Sequence, residues 1–190
     1  MTALPPTSGL TATHRTRRDA SPSRVSGTAR IGPSERYGLL GARMIAVASR
    51  SSSRTPGAAL AAPGVLEALR DATAIILAPS NPYLSLGPIL AVRAIRAALE
   101  SRRVRSIAVS PLVGGKAVTG PLDRMLLRMA GGTTPAHVVR PLGGLIDALV
   151  IDEADAPAEA PVELVAAATL MHDREAARRL AERVLEAACA

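Results

Sequence analysis

Two connections in the chain carry side chains that could handle an anion. The first runs Ala78-Pro79-Ser80-Asn81-Pro82-Tyr83-Leu84-Ser85-Leu86-Gly87-Pro88, the second Ser110-Pro111-Leu112-Val113-Gly114-Gly115-Lys116-Ala117-Val118-Thr119-Gly120-Pro121. In each, an apolar run ends at a proline, a small or polar stretch turns the chain, and Gly-Pro opens the next helical pattern. Gly114 and Gly115 lack Cβ atoms, so backbone N–H groups there can come close to a phosphate. Ser80, Asn81 and Ser85 add hydrogen-bonding groups without charge. Lys116 is the only lysine among 23 basic residues and could neutralise a phosphate as a point charge. Each feature also has a plainer reading. Two glycines make an ordinary bend, Ser80 and Asn81 between prolines serve turns and helix caps, and a lysine beside a turn is usually solvated. Spacing alone therefore supports an anionic ligand near these loops, and no particular reaction.

Other chemistry-bearing residues carry less. Asp152, Glu153 and Asp155 follow an apolar run and could approach a metal, but a solvated acidic turn explains them with fewer assumptions. His137 and His172 lack metal-ligand spacing, so surface or capping roles are expected. Cys189, the single cysteine, has no partner for a disulfide and no sign of an activated thiolate. Met125, Met129 and Met171 are expected as core filler. No residue is assigned a catalytic role and no metal ligands are identified.

The elements that must position the two loops follow from hydrophobic period. Pro63 to Arg70 is expected as a short helix, and Thr73 to Ala78 as a buried strand. Leu86 to Ser101 reads as one helix with Ile89, Leu90, Ile95 and Leu99 inward. Arg105 to Ser110 is the next strand, then a Gly-rich loop, then a helix from Pro121 to Met129 stopped at Gly131-Gly132. Leu145 to Ile151 and Val162 to Ala168 are further strands. Arg174 to Ala188 closes the chain as an amphipathic helix with Asp173 as its N-cap and Glu175–Arg179 as an exposed pair. Such alternation predicts an α/β fold, a mostly parallel Rossmann-like sheet with flanking helices. Three or four strands would leave its edges poorly covered, so the sheet is expected to be incomplete.

Composition bounds the rest. The 190 residues fit one domain, and 48% are apolar without a single Phe or Trp, so the core must be aliphatic. Residues 1–58, rich in Ser, Thr, Pro, Gly and Ala, are expected to form a basic, disordered tail with one short apolar element at Leu39 to Ala48. Residues 59–190 are expected to be the α/β domain. The tail holds nine Arg and two acidic residues, which accounts for the whole net charge of +7. The remainder is neutral and nearly free of aromatic residues, which argues against a nucleic-acid partner. An Arg- and Ser-rich start also fits a transit peptide, though its Pro and Gly content spoils the amphipathic helix. No run reaches the roughly 18 apolar residues of a membrane span. Cysteine usage and the lack of a secretory signal point to the cytoplasm.

The stretch from Ala62 to Val92, APGVLEALRDATAIILAPSNPYLSLGPILAV, together with Val109 to Pro121, VSPLVGGKAVTGP, resembles the 2-phospho-L-lactate transferase family. Weaker likeness continues through Val150-Ile151-Asp152 and Thr169-Leu170-Met171, so residues 60–190 correspond to the family's C-terminal half. The related gluconeogenesis-factor proteins, which would imply nucleotide-sugar binding, differ at the first loop. They carry a glycine-rich turn instead of Ser-Asn-Pro and Asn at the place of Ile89. The resemblance implies a coenzyme F420 biosynthesis enzyme. Such an enzyme moves a phospholactyl or phosphoenolpyruvyl group from a guanosine diphosphate-activated donor to the deazaflavin alcohol Fo, releasing GMP with the help of Mg2+. It further implies that Ser80, Asn81, Ser85, Gly114, Gly115 and Lys116 surround the donor, and that the protein forms a homodimer. The glycine-rich start and metal-binding acids of the family have no recognisable match in residues 1–58. A non-catalytic nucleotide-binding remnant and an Arg-rich interaction tail on an inert domain are the alternatives.

Overall fold

The computed structural model describes residues 28–30, 44–47 and 60–190. Its main sheet has six strands: β1 (Thr28–Arg30), β2 (Met44–Val47), β3 (Ala74–Leu77), β4 (Ser106–Val109), β7 (Ala148–Asp152) and β8 (Glu163–Ala167), in that spatial order. A separate two-stranded ribbon consists of β5 (Leu112–Val113) and β6 (Lys116–Ala117). From β2 to β8 all neighbours in the main sheet are parallel, with registers such as Ile75↔Ser106 and Ala148↔Glu163; only β1 runs antiparallel, against β2. The mostly parallel α/β architecture expected from the sequence is thus present.

Every parallel step moves the same way across the sheet. Right-handed crossovers in one direction put their connecting helices on one face. Helices α1 (Val65–Arg70), α2 (Gly87–Leu90), α3 (Arg93–Glu100), α4 (Leu122–Ala130) and α5 (Pro135–Val139) obey this. Their Val65, Leu69, Ile89, Ile95, Leu99, Leu126 and Val138 pack with Ile75, Leu77, Leu149 and Ile151 of the strands. The alternate residues, Ala74, Ile76, Ile107, Val109 and Val150, face the opposite way and meet Leu180, Val184, Ala187 and Ala188 of α6 (Arg174–Cys189). Both faces being covered explains why β3, β4 and β7 read as unbroken apolar runs. Asp173 caps α6 as expected, its carboxylate accepting the Ala176 N–H at 2.7 Å. Glu175 pairs with Arg179 at 3.5 Å and more closely with Arg178 at 2.8 Å.

Three differences from the expected elements have physical causes. The helix expected over Leu86 to Ser101 is two helices, broken where Val92 adopts extended backbone (φ −72°, ψ 107°). At about 100° per residue, a straight helix would set Leu90 roughly 170° away from the Val92–Ile95–Leu99 stripe. The break lets Leu90, Val92, Ile95 and Leu99 all be buried. Second, the Gly-rich loop contains the β5–β6 hairpin. Third, Pro135–Val139 is a helix, capped by Thr134 and His137, whose hydroxyl and Nδ1 lie 2.7 Å apart.

Two pieces of the segment expected as a tail, Thr28–Arg30 and Met44–Val47, are sheet strands, so β3 is an interior strand. Met44–Val47 falls inside the apolar element Leu39 to Ala48. The other expectations for residues 1–59 fall outside the described residues.

Candidate functional site

In a parallel sheet, the loops leaving the carboxyl ends of the strands share one edge, where open α/β sheets bind ligands. Both candidate loops are there: residues 78–86 leave β3 and residues 110–121 leave β4. After β3, Asn81 caps a wide turn, Pro82–Leu86. Its Oδ1 accepts the N–H groups of Tyr83 at 2.9 Å and Leu84 at 3.0 Å. Ser85 and Leu86 N–H both donate to the Asn81 carbonyl, at 2.9 and 3.0 Å. The Asn81 Nδ2 reaches the Met125 sulfur on α4 at 3.6 Å. The Asn81 carboxamide is therefore occupied in shaping the loop and joining it to α4. Ser80 and Ser85 are half-buried in the same turn.

After β4, Gly114 and Gly115 form the two-residue turn of the hairpin, with φ of +56° and +70°. Left-handed values at both positions are what a twist-matched hairpin turn needs, and glycine meets them without Cβ strain. Lys116 follows at once, paired in register with Val113, exposed and without an ion-pair partner among the described residues. The Gly115 N–H donates to Asp155 Oδ1 at 2.7 Å. On the other side, a Cβ at Gly115 would lie 3.0 Å from the Thr133 hydroxyl. The hairpin turn thus sits between the loop after β7 and the loop after α4.

Of the acidic run that ends β7, Glu153 is solvated, as a surface turn predicts, but Asp152 and Asp155 are engaged. Asp152 is buried; its Oδ2 accepts the Thr169 N–H and hydroxyl, both at 2.9 Å, and its Oδ1 accepts the Ala154 N–H at 3.0 Å. Burial pushes its pKa up, but the donors from Thr169 and Ala154 prevail and hold it below the ordinary carboxylate value. Asp155 Oδ2 is buried with no partner. Among the described residues, no group of three His, Cys, Asp or Glu side chains could hold a metal ion. With Asp152 fully engaged by Thr169 and Ala154, these acids do not make a magnesium site.

The structure brings Gly114, Gly115 and Lys116 together with Asp155 and Thr133, and ties Asn81 to α4. Sequence reasoning missed the roles of Asp155, Thr133 and Met125, because contacts between distant loops leave no local period. A cleft of about 290 Å³ between α1 and α3, lined by Leu66, Leu69, Arg70, Ala98, Arg102 and Arg103 among others, opens at the opposite, amino edge. Its Arg102 pairs with Asp147 and donates to the Leu99 and Gly144 carbonyls. That cleft holds none of the candidate residues.

The family model described as 2-phospho-L-lactate transferase CofD matches residues 25–190. The chain belongs to that family. The match begins well before residue 60, where the sequence resemblance starts, and it takes in β1 and β2. Among relatives, the phosphoenolpyruvate transferase of Streptomyces griseus subsp. griseus is 40% identical over 133 residues, covering 67% of this chain and 42% of its own. That of Mycolicibacterium smegmatis is 39% identical over 123 residues, covering 62% and 38%. The 2-phospho-L-lactate transferase of Methanocaldococcus jannaschii is 32% identical over 123 residues, covering 64% and 39%. The chain thus spans about two fifths of the length of these transferase-family relatives. Among the described residues, no helix is long and apolar enough to cross a membrane.

Proposed function

We propose that this chain supplies the donor-binding loops of a coenzyme F420 biosynthesis transferase. In the proposed reaction, the terminal hydroxyl oxygen of Fo attacks the phosphorus that bears the lactyl or enolpyruvyl group. A new P–O bond forms, the diphosphate bridge breaks, GMP leaves and the hydroxyl proton is lost. Such transfers need positioning and charge neutralisation more than a protein nucleophile. Lys116 neutralises donor phosphate charge, Ser80 and Ser85 offer hydroxyl donors, and Asn81, Gly114 and Gly115 shape the two loops that present them. The Gly115 N–H is already given to Asp155, so it is not counted among the phosphate donors. Magnesium belongs to the proposal as an aid held by the donor's own phosphates; chelation with EDTA should then lower turnover.

The observation that carries this reading is the placement of Ser80 and Lys116 on adjacent carboxyl-edge loops of a chain in this family. The test is transfer by the purified chain, supplied with Fo, magnesium and the guanylylated donor, with the deazaflavin product read by mass spectrometry. Product that Lys116→Ala lowers about tenfold supports the reading. No product, with a full-length family enzyme active alongside, would refute transfer by this chain. Donor binding without product would favour the second reading, a nucleotide-binding module.

A further inference from the structure

We infer that Asp155 is the positioning residue for Lys116, acting through the hairpin turn that carries it; the inference rests on the reading that Lys116 meets the donor's phosphates. In a two-residue hairpin, the ladder uses the groups flanking the turn and leaves the N–H groups of the turn residues without partners. Here the flanking pair is Val113 and Lys116. The free Gly115 N–H is taken by Asp155 Oδ1 at 2.7 Å, from 40 residues further along the chain.

The rest of the contact makes it a clamp. Thr133 packs closely against the turn, since a Cβ at Gly115 would lie 3.0 Å from its hydroxyl, and Ala154 lies beside Gly114. Asp155 is itself fixed, since it ends the short turn Glu153–Asp155, which Asp152 caps while holding Thr169 beyond β8. Gly115, Asp155, Asp152 and Thr169 so join the carboxyl-edge loops of β4, β7 and β8. The hairpin ladder is only two residues long on each side. Such a ribbon is marginal alone, and a swinging turn would spread Lys116 over many positions. The second carboxylate oxygen, Oδ2, is buried without a hydrogen-bond partner among the described residues, so the recorded hold of Asp155 is on the turn.

The test uses GDP as the probe. Its dissociation constant is measured for the unaltered chain, Lys116→Ala, Asp155→Ala, their double variant and Asp155→Asn, alongside hydrogen exchange at the Gly115 amide. Lys116→Ala should weaken binding about tenfold. Asp155→Ala should weaken it several-fold and strip protection from Gly115, while the double variant binds no more weakly than Lys116→Ala alone. Asp155→Asn, which keeps an acceptor at the same reach, should restore most of the binding even if the alanine variant folds poorly. Unchanged or tighter binding by Asp155→Ala, or fully additive losses in the double variant, would overturn this role while leaving the donor reading intact. A Lys116→Ala variant that binds as well as the unaltered chain would overturn both.

Discussion

Asp152 concentrates three donors on one buried carboxylate, and it joins the loop after β7 to the segment after β8. Replacing it with Ala leaves the buried Thr169 N–H and hydroxyl without an acceptor, which should cost about 3 kcal/mol in urea denaturation. Folding lowers its pKa below the ordinary unfolded-chain carboxylate value. The stabilisation is therefore complete above that unfolded-state value and is lost as pH falls below it toward the folded pKa. Unfolding free energy measured from pH 6 down to pH 2 should drop below about pH 4, and Asp152→Ala should flatten that drop. Glycines offer a matched comparison. Gly115 and Gly120 share φ of +70°, but only at Gly115 would a Cβ meet another group, the Thr133 hydroxyl at 3.0 Å. Gly120→Ala should cost about 1 kcal/mol from backbone strain alone. Gly115→Ala should cost more, because Thr133 or the turn must also shift.

At the scale of elements, the break at Val92 makes a testable difference. In a straight helix Leu90 would be solvated, and its truncation would hardly matter. With the break, Leu90 and Ile95 are both buried, so Leu90→Ala and Ile95→Ala should each cost about 2–5 kcal/mol by thermal or chemical denaturation. The elements legible from sequence were those whose signal is local: β3, β4 and β7 as apolar runs, and α6 with its Asp173 cap. The period placed Leu90 off the Val92–Ile95–Leu99 stripe, but no proline or glycine marks the break at Val92, so one helix was expected. The β5–β6 hairpin was half legible. Gly114-Gly115 marked a turn, but two-residue strands are too short to show alternation. At the site, Ser80, Asn81 and Lys116 were legible as loop residues after strands. The diversion of the Gly115 N–H to Asp155 was not, because it depends on packing between loops 40 residues apart.

For the molecule as a whole, the strand order gives the sheet two unlike edges. The carboxyl edge holds the Ser80 and Lys116 loops, and the amino edge holds the arginine-rimmed cleft between α1 and α3. Strands β1 and β2 came from a segment whose composition resembles a tail, because three- and four-residue strands barely register against Ser-, Pro- and Arg-rich surroundings. The proposed function sets the donor's phosphates against Lys116 on that carboxyl edge. The most direct check is the backbone amide spectrum of the isotopically labelled chain, titrated with GDP and magnesium. Shifts gathered at residues 80–86 and 112–117, and lost in Lys116→Ala, are the expected result. Shifts confined to residues 66–72 and 94–104, or none at saturating GDP, would contradict the placement of the donor at the carboxyl edge.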